Sequence, residues 1–200
     1  MKNKNITLEY YNKNASEFIE GTMKVDFSAT QDIFLKSLKG KKILDFGCGS
    51  GRDTKCFLEA GYDVDAIDGS IELCKRASNY TGIKVREMQF HQLDEIDKFD
   101  GIWACASILH LSKVELKLVF QKMIKAMKQE GVIYTSFKYG NLEGIRNGRY
   151  FTDFTEETFI NFVKDFGGVE IEKIWVTSDV RVGRGDERWL NILLRKVGSP

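Results

Sequence analysis

The sequence predicts an α/β domain: a largely parallel sheet with helices on both faces. Three observations predict it. Short apolar runs alternate with longer amphipathic stretches through residues 41–137, the pattern of strands joined by crossover helices. A glycine-dense turn, GCGSG at 47–51, directly follows the first apolar run, where open α/β sheets bind their ligands. The last two apolar runs are joined only by TSDVRVGRGDER, which is too short for a crossover helix, so they should pair antiparallel.

In chain order, 7–20 and 27–38 read as two amphipathic helices, a cap over the ligand edge of the sheet. The strands are KKILDF (41–46), YDVDAI (62–67), IKVREM (83–88), FDGIWAC (99–105), VIYTSF (132–137), VEIEKIWV (169–176) and WLNILLRK (189–196). Helical patterns separate the first five. The best is 113–128, where Leu116, Val119, Phe120, Met123 and Met127 share one face. Ser112 and Glu115 make a capping box at its start, and Gly131 favours a stop after its last turn. No repeat or linker divides the chain. Its 200 residues are read as one domain: a helical cap (1–40), a ligand-binding core (41–137), then loops and a C-terminal hairpin (138–200).

Composition narrows the function. A formal net charge of +1 provides no global field to recruit nucleic acid or an anionic membrane. No apolar run nears the roughly 20 residues of a membrane span, and MKNKNITLEYYNKNA lacks the apolar core of a signal peptide. Cys48, Cys56, Cys74 and Cys105 form no C-x-x-C pair, which suits reduced thiols in a cytoplasm. With only His91 and His110 for histidines, no metal site is expected.

The glycine turn is no dinucleotide fingerprint, because Arg52 stands where the third glycine of G-x-G-x-x-G belongs. Asp68 ends the second strand, where a carboxylate can accept both hydroxyls of an adenosine ribose. Gly69 follows, then Ser70 as N-cap of the next helix. Glycine loop and acidic strand end together suit an adenosine-type ligand that needs no pyrophosphate cradle.

ILDFGCGSGRD, YDVDAIDGS, FDGIWACASILHL and KAMKQEGVIYTSF, in this order and spacing, resemble the class I S-adenosylmethionine-dependent methyltransferases over about residues 41–137. The resemblance implies a Rossmann-like seven-stranded sheet of order 3-2-1-4-5-7-6 with strand 7 antiparallel. It also implies S-adenosyl-L-methionine as cofactor and S-adenosyl-L-homocysteine as product. Asp45, Gly47, Cys48, Gly49, Gly51 and Arg52 would hold the methionine part, and Asp68, Gly69 and Ser70 the ribose side. Met88, Gln89 and Phe90 would flank the adenine, and Ala104, Cys105 and Ala106 would close beneath the sulfonium. YYNKNASEFIEG resembles the N-terminal tyrosine helix of small-molecule members, so Tyr11 would reach the cofactor. Compact size and the tail DVRVGRGDERWLNILLRK most resemble the tellurite-resistance methyltransferases. KQEG replaces the family's usual Lys-Pro-Gly-Gly turn.

His110 follows the fourth strand, at the cofactor–substrate boundary. It is either a backbone-bonded structural histidine or the residue that positions substrate or removes its proton. Arg146, Arg149, Arg181, Arg184 and Arg188 crowd two loops expected beside the substrate opening. They suit an anionic substrate, or else pair with Asp179, Asp186 and Glu187. Tyr10, Tyr139 and Tyr150 would complete a closed aromatic pocket for a small molecule. With proline only at position 200, the Pro-containing motifs of DNA-base and cytosine methylation are absent. The expectation is methyl transfer to a small molecule by a cytoplasmic monomer or homodimer. DNA and membranes are not expected as partners. Methylation of tRNA or protein, a non-catalytic cofactor-binding module and a nucleotide oxidoreductase stay as alternatives.

Overall fold

The computed structural model describes residues 2–181 and 183–198. Three helices come first, α1 (Lys2–Lys13), α2 (Ala15–Thr22) and α3 (Ser28–Ser37). Then follow β1 (Lys42–Phe46), α4 (Arg52–Glu59), β2 (Asp63–Asp68), α5 (Ile71–Thr81), β3 (Arg86–Glu87) and β4 (Phe99–Ala104). The chain continues through α6 (Lys113–Ala126), β5 (Met127–Lys138), β6 (Glu143–Arg146), β7 (Arg149–Thr152) and α7 (Glu156–Val163), and ends with β8 (Val169–Ser178) and β9 (Arg188–Lys196). The main sheet runs β3-β2-β1-β4-β5-β9-β8. Its seventh strand in chain order, β9, is antiparallel to both neighbours. The expected order is therefore the observed one, and the short TSDVRVGRGDER connection accounts for the antiparallel pairing of β8 with β9.

Alternation along the strands sorts the core. Leu44, Phe46, Ile102, Ile133 and Phe137 face α6 and α7, packing on Leu116, Phe120, Phe159 and Phe162. The intervening Ile43, Trp103, Val132 and Tyr134 face α3 and α4, packing on Phe34 and Phe57. Trp103 stacks on Tyr134 with ring centroids 4.1 Å apart.

Several boundaries differ from the expectation. The helix expected over 7–20 breaks at Asn14, whose amide Nδ2 bonds the Tyr10 carbonyl at 2.8 Å. The third strand shrinks to Arg86–Glu87, and only a 3-10 turn, Phe90–Gln92, connects towards β4. The capping box at Ser112 and Glu115 forms as expected, but Gly131 is not the helix stop. The helix ends at Ala126, and Met127 is already extended and paired with Phe99. The KQEG segment bulges before pairing resumes at Val132, and Glu130, not Gly131, takes positive φ. Gly131 serves close packing instead, since a Cβ there would lie 2.9 Å from the Lys128 carbonyl oxygen.

The segment expected as a loop at 141–151 is the β6–β7 hairpin, and its turn residues Asn147 and Gly148 both have positive φ. Asn-Gly is a strong hairpin signal, so this element was readable. The hairpin packs on α1, where the Tyr150 amide donates to Thr7 Oγ1 at 3.2 Å. Among the described residues no helix is long and apolar enough to cross a membrane.

Candidate active site

β1 stops at Phe46 and the chain turns sharply. Gly47, Gly49 and Gly51 all have positive φ, a conformation that glycine adopts without Cβ strain. The amides of Gly47 and Cys48 donate to the Ile67 carbonyl at 3.0 and 2.9 Å, tying the loop to β2. Asp68, at the end of β2, accepts the Gly49 amide at 2.9 Å and the Ser70 amide at 2.8 Å. Each carboxylate oxygen keeps a lone pair for a ligand. Burial raises the Asp68 carboxyl above its usual range. Burial, with Asp53 nearby, pushes Asp45 up to about 8, and its carboxylate accepts Thr54 Oγ1 at 2.5 Å.

Asp53, which sequence reasoning passed over, organises the residue before it. It accepts Arg52 Nε and Nη2 at 2.8 and 2.9 Å, Gln31 Nε2 at 2.7 Å and Trp103 Nε1 at 2.9 Å. Arg52 is thereby fixed in the cavity wall, its guanidinium 5.0 Å from the Phe27 ring. Phe90 packs on Phe46 with centroids 4.8 Å apart, and the Met88 amide donates to the Asp68 carbonyl at 2.9 Å. After β4, the Ala106 amide donates to Ser136 Oγ at 2.9 Å. Burial pushes the Cys105 thiol up to about 12, which makes it a packing group.

One cavity of about 690 Å³ collects these groups. Of the expected cofactor residues, Tyr11, Asp45, Gly47, Cys48, Gly49, Arg52, Asp68, Gly69, Met88, Gln89, Phe90, Cys105 and Ala106 line it. Gly51, Ser70 and Ala104 do not. Gly51 lets α4 start against α5, as a Cβ there would meet Thr81 at 2.9 Å. Ser70 caps α5 and donates to Asn12 Oδ1 at 2.6 Å. Ala104 is fully buried inside β4. Sequence reasoning missed Leu8 and Phe18, which press on Gly69 and Gly49: a Cβ on either glycine would come within 2.7 and 2.9 Å of them. Phe18 lies seven positions after Tyr11, and the rings meet edge to face at 5.2 Å. That helical spacing was the available signal.

The far end of the cavity centres on His110. Its Nδ1 lies 2.7 Å from the Tyr150 carbonyl and its Nε2 2.8 Å from the Tyr11 hydroxyl. A carbonyl only accepts, so Nδ1 carries the proton and Nε2 accepts from Tyr11. Burial lowers the His110 pKa to about 4, so the ring is neutral at pH 7. Arg149 Nη1 donates to the Tyr11 oxygen at 3.3 Å.

The arginines divide. Arg146 grips Asp153 with both Nη atoms, at 3.1 and 2.9 Å. Arg181 grips Asp179, which also accepts Trp189 Nε1 at 2.9 Å. Arg184 lies 4.0 Å from Glu187, and Arg188 stacks on Tyr139 at 4.4 Å. All five arginines and Tyr139 line the cavity. Tyr10 and Tyr150 do not: Tyr10 stacks behind Arg149, and the Tyr150 hydroxyl turns out to Glu143 at 3.2 Å.

Residues 43–131 match the family described as Methyltransferase domain. YqeM of Bacillus subtilis (strain 168) is 26% identical over 108 residues, which are 48% of this chain and 44% of that protein, so the chain spans under half of that relative's length. Two solved structures superpose over nearly the whole chain. The 1,6-didemethyltoxoflavin-N1-methyltransferase of Burkholderia thailandensis, with 1,6-didemethyltoxoflavin and S-adenosylhomocysteine bound, has a TM-score of 0.73 at 20% identity, covering 96% of this chain and 85% of that one. The magnesium protoporphyrin IX methyltransferase of Synechocystis PCC 6803, with S-adenosylmethionine bound, has a TM-score of 0.73 at 17% identity, covering 98% of each chain. Motif match, strand order and the cavity at the carboxyl ends of the strands agree: residues 43–131 carry the methyltransferase-domain match, and the whole chain has the fold of these two solved methyltransferases.

Proposed function

We propose that this chain transfers a methyl group from S-adenosylmethionine to a small molecule. The observation that carries this reading is one continuous cavity, which runs from the glycine loop and Asp68 to His110 and Arg149 under the N-terminal helices. The residues present fit the cofactor. Gly47 lets the loop pass close against Ser107, whose side chain a Cβ would meet at 2.5 Å, and Asp68 offers a half-buried carboxylate at the cavity wall.

The bound cofactor supplies a methyl group already activated on a sulfonium sulfur. The protein then has to bind, align and exclude water. Asp68 would take the ribose hydroxyls, and Met88, Gln89 and Phe90 would flank the adenine. The glycine loop, Asp45 and Arg52 would hold the amino-acid end. Leu8, Tyr11 and Phe18 roof these groups and shed water from them. His110 acts here as a positioning residue: with a pKa of about 4 it is a weak base at pH 7, but its Nε2 fixes the direction of the Tyr11 hydroxyl.

A roofed cavity suits a small acceptor better than a polynucleotide or a protein surface, and both solved relatives described above are named for small molecules. We place the enzyme in the cytoplasm, where Cys48, Cys56, Cys74 and Cys105 stay free thiols. Calorimetry tests the cofactor assignment. S-adenosylhomocysteine should bind with micromolar-class affinity and NAD should not bind; tighter binding of NAD would overturn it.

A further inference from the structure

Methyl transfer leaves the acceptor's chemistry open, and the five arginines at the far end of the cavity narrow it. Arg146, Arg181 and Arg184 each face a carboxylate of their own chain. Arg188 is exposed and stacked on Tyr139. Arg149 differs from all four. Its guanidinium sits among three rings, 4.6 Å from Tyr10, 5.2 Å from Phe151 and 5.8 Å from Tyr11. Nη1 bonds the neutral Tyr11 hydroxyl, while Nε is buried without an acceptor. Among the described residues no carboxylate pairs with it.

Aromatic faces attract a cation, but they give its N–H edge nothing to bond. A guanidinium does not escape by losing its proton. Arg149 therefore brings to the cavity wall a positive charge that the fold does not neutralise. Its surroundings add to the imbalance. Lys138 and the five arginines line this end against Asp179, Asp186 and Glu187, with Asp153 behind Arg146.

We propose that the methyl acceptor is a small carboxylate whose anionic group pairs with the Arg149 guanidinium, on a wall built by Tyr10, Tyr11 and Phe151. The inference rests on the methyl-transfer reading above. A second carboxylate could claim the same arginine, the amino-acid end of the cofactor itself, and the test separates the two.

A metabolite extract is split by anion exchange into an anionic and a non-anionic pool. Each pool is incubated with the enzyme and S-adenosylmethionine carrying a labelled methyl group, and products are found by mass spectrometry. The expected acceptor lies in the anionic pool. Arg149→Gln should lower kcat/KM for it by about tenfold or more while S-adenosylhomocysteine affinity stays within about twofold by calorimetry. Arg149→Lys, which keeps the charge but loses the planar fork, should fall between. A melting curve and S-adenosylhomocysteine binding show that each variant is folded. An acceptor found only in the non-anionic pool, or one turned over normally by Arg149→Gln, overturns this inference and leaves methyl transfer standing. Loss of S-adenosylhomocysteine binding in a folded Arg149→Gln assigns the arginine to the cofactor and overturns it too. No labelled product from either pool removes both readings.

Discussion

The two ends of the cavity are built by opposite means. At the end proposed for the cofactor, the glycine loop is held by backbone and near neighbours: Asp68 bonds amides 19 and 2 residues away. At the end proposed for the acceptor, side chains meet across much of the sequence. Tyr11 reaches His110 over 99 residues and Arg149 over 138. A short stretch of sequence suffices to shape the glycine loop and its contact with Asp68. The second end exists only when α1, the β6–β7 hairpin and the 179–188 connection have docked. On the proposed function, the difference teaches that acceptor specificity can be rebuilt on this fold without touching the loop assigned to the cofactor. It also implies that faults at the two ends should show up in different measurements.

The sharpest break of the comparison is Gly49→Val. It puts a side chain at φ +55, with its Cβ 2.9 Å from the Phe18 ring. S-adenosylhomocysteine binding should become undetectable by calorimetry while circular dichroism shows a folded protein. Adding Phe18→Ala should recover part of the binding, since Phe18 is the obstruction. A double variant no better than the single one would place the obstruction in the ligand's own space.

Next comes Asp68→Ala. Charge-assisted hydrogen bonds contribute roughly 1.5–3 kcal/mol each, so S-adenosylhomocysteine affinity should fall at least about tenfold. Melting temperature should drop as well, because the Gly49 and Ser70 amides lose their acceptor. Unchanged affinity would refute the ribose assignment.

At the acceptor end the effects move from binding to stability. Between pH 6.5 and about 4 the unfolded His110 ring takes up a proton that the folded ring refuses. Stability should therefore fall as pH drops through that window, by no more than about 3 kcal/mol. His110→Gln should flatten that part of the melting-temperature profile; an equally steep profile would show that His110 is not its source. Arg181→Ala leaves the buried Asp179 with Trp189, Lys138 and the amide of residue 181. It should cost about 1–3 kcal/mol, or roughly 2–4 °C per kcal/mol in a chain of this size, with cofactor affinity untouched. Arg184→Ala breaks only an exposed 4.0 Å pair with Glu187 and should change stability by about 0–1 kcal/mol.

Much of the cofactor end was legible beforehand because its determinants are local. Glycine spacing, the acid at the end of β2 and the Ser112–Glu115 capping box depend on residues a few positions apart, and each sits where it was expected. Three expected residues do not face the cavity, Gly51 and Ser70, which serve the turn and the cap, and Ala104, which is buried in β4, since spacing does not say which way a side chain points. The acceptor end was legible only as a composition, five arginines in two loops. Nothing in their spacing distinguished Arg146, neutralised by Asp153, from Arg149, which sits among rings without a carboxylate.

By itself the sequence determined the alternation of strands and helices, the antiparallel last strand and the chemistry of the glycine loop. These follow from hydrophobic period, connection length and the absence of a Cβ, all properties of short segments. Only the tertiary structure decided which cations stay uncompensated, which tautomer His110 holds and which α1 and α2 side chains roof the cavity. Those depend on distances between segments far apart in the chain, such as the 3.3 Å from Arg149 to Tyr11, and a through-space distance of that kind is set by packing rather than by position in the chain.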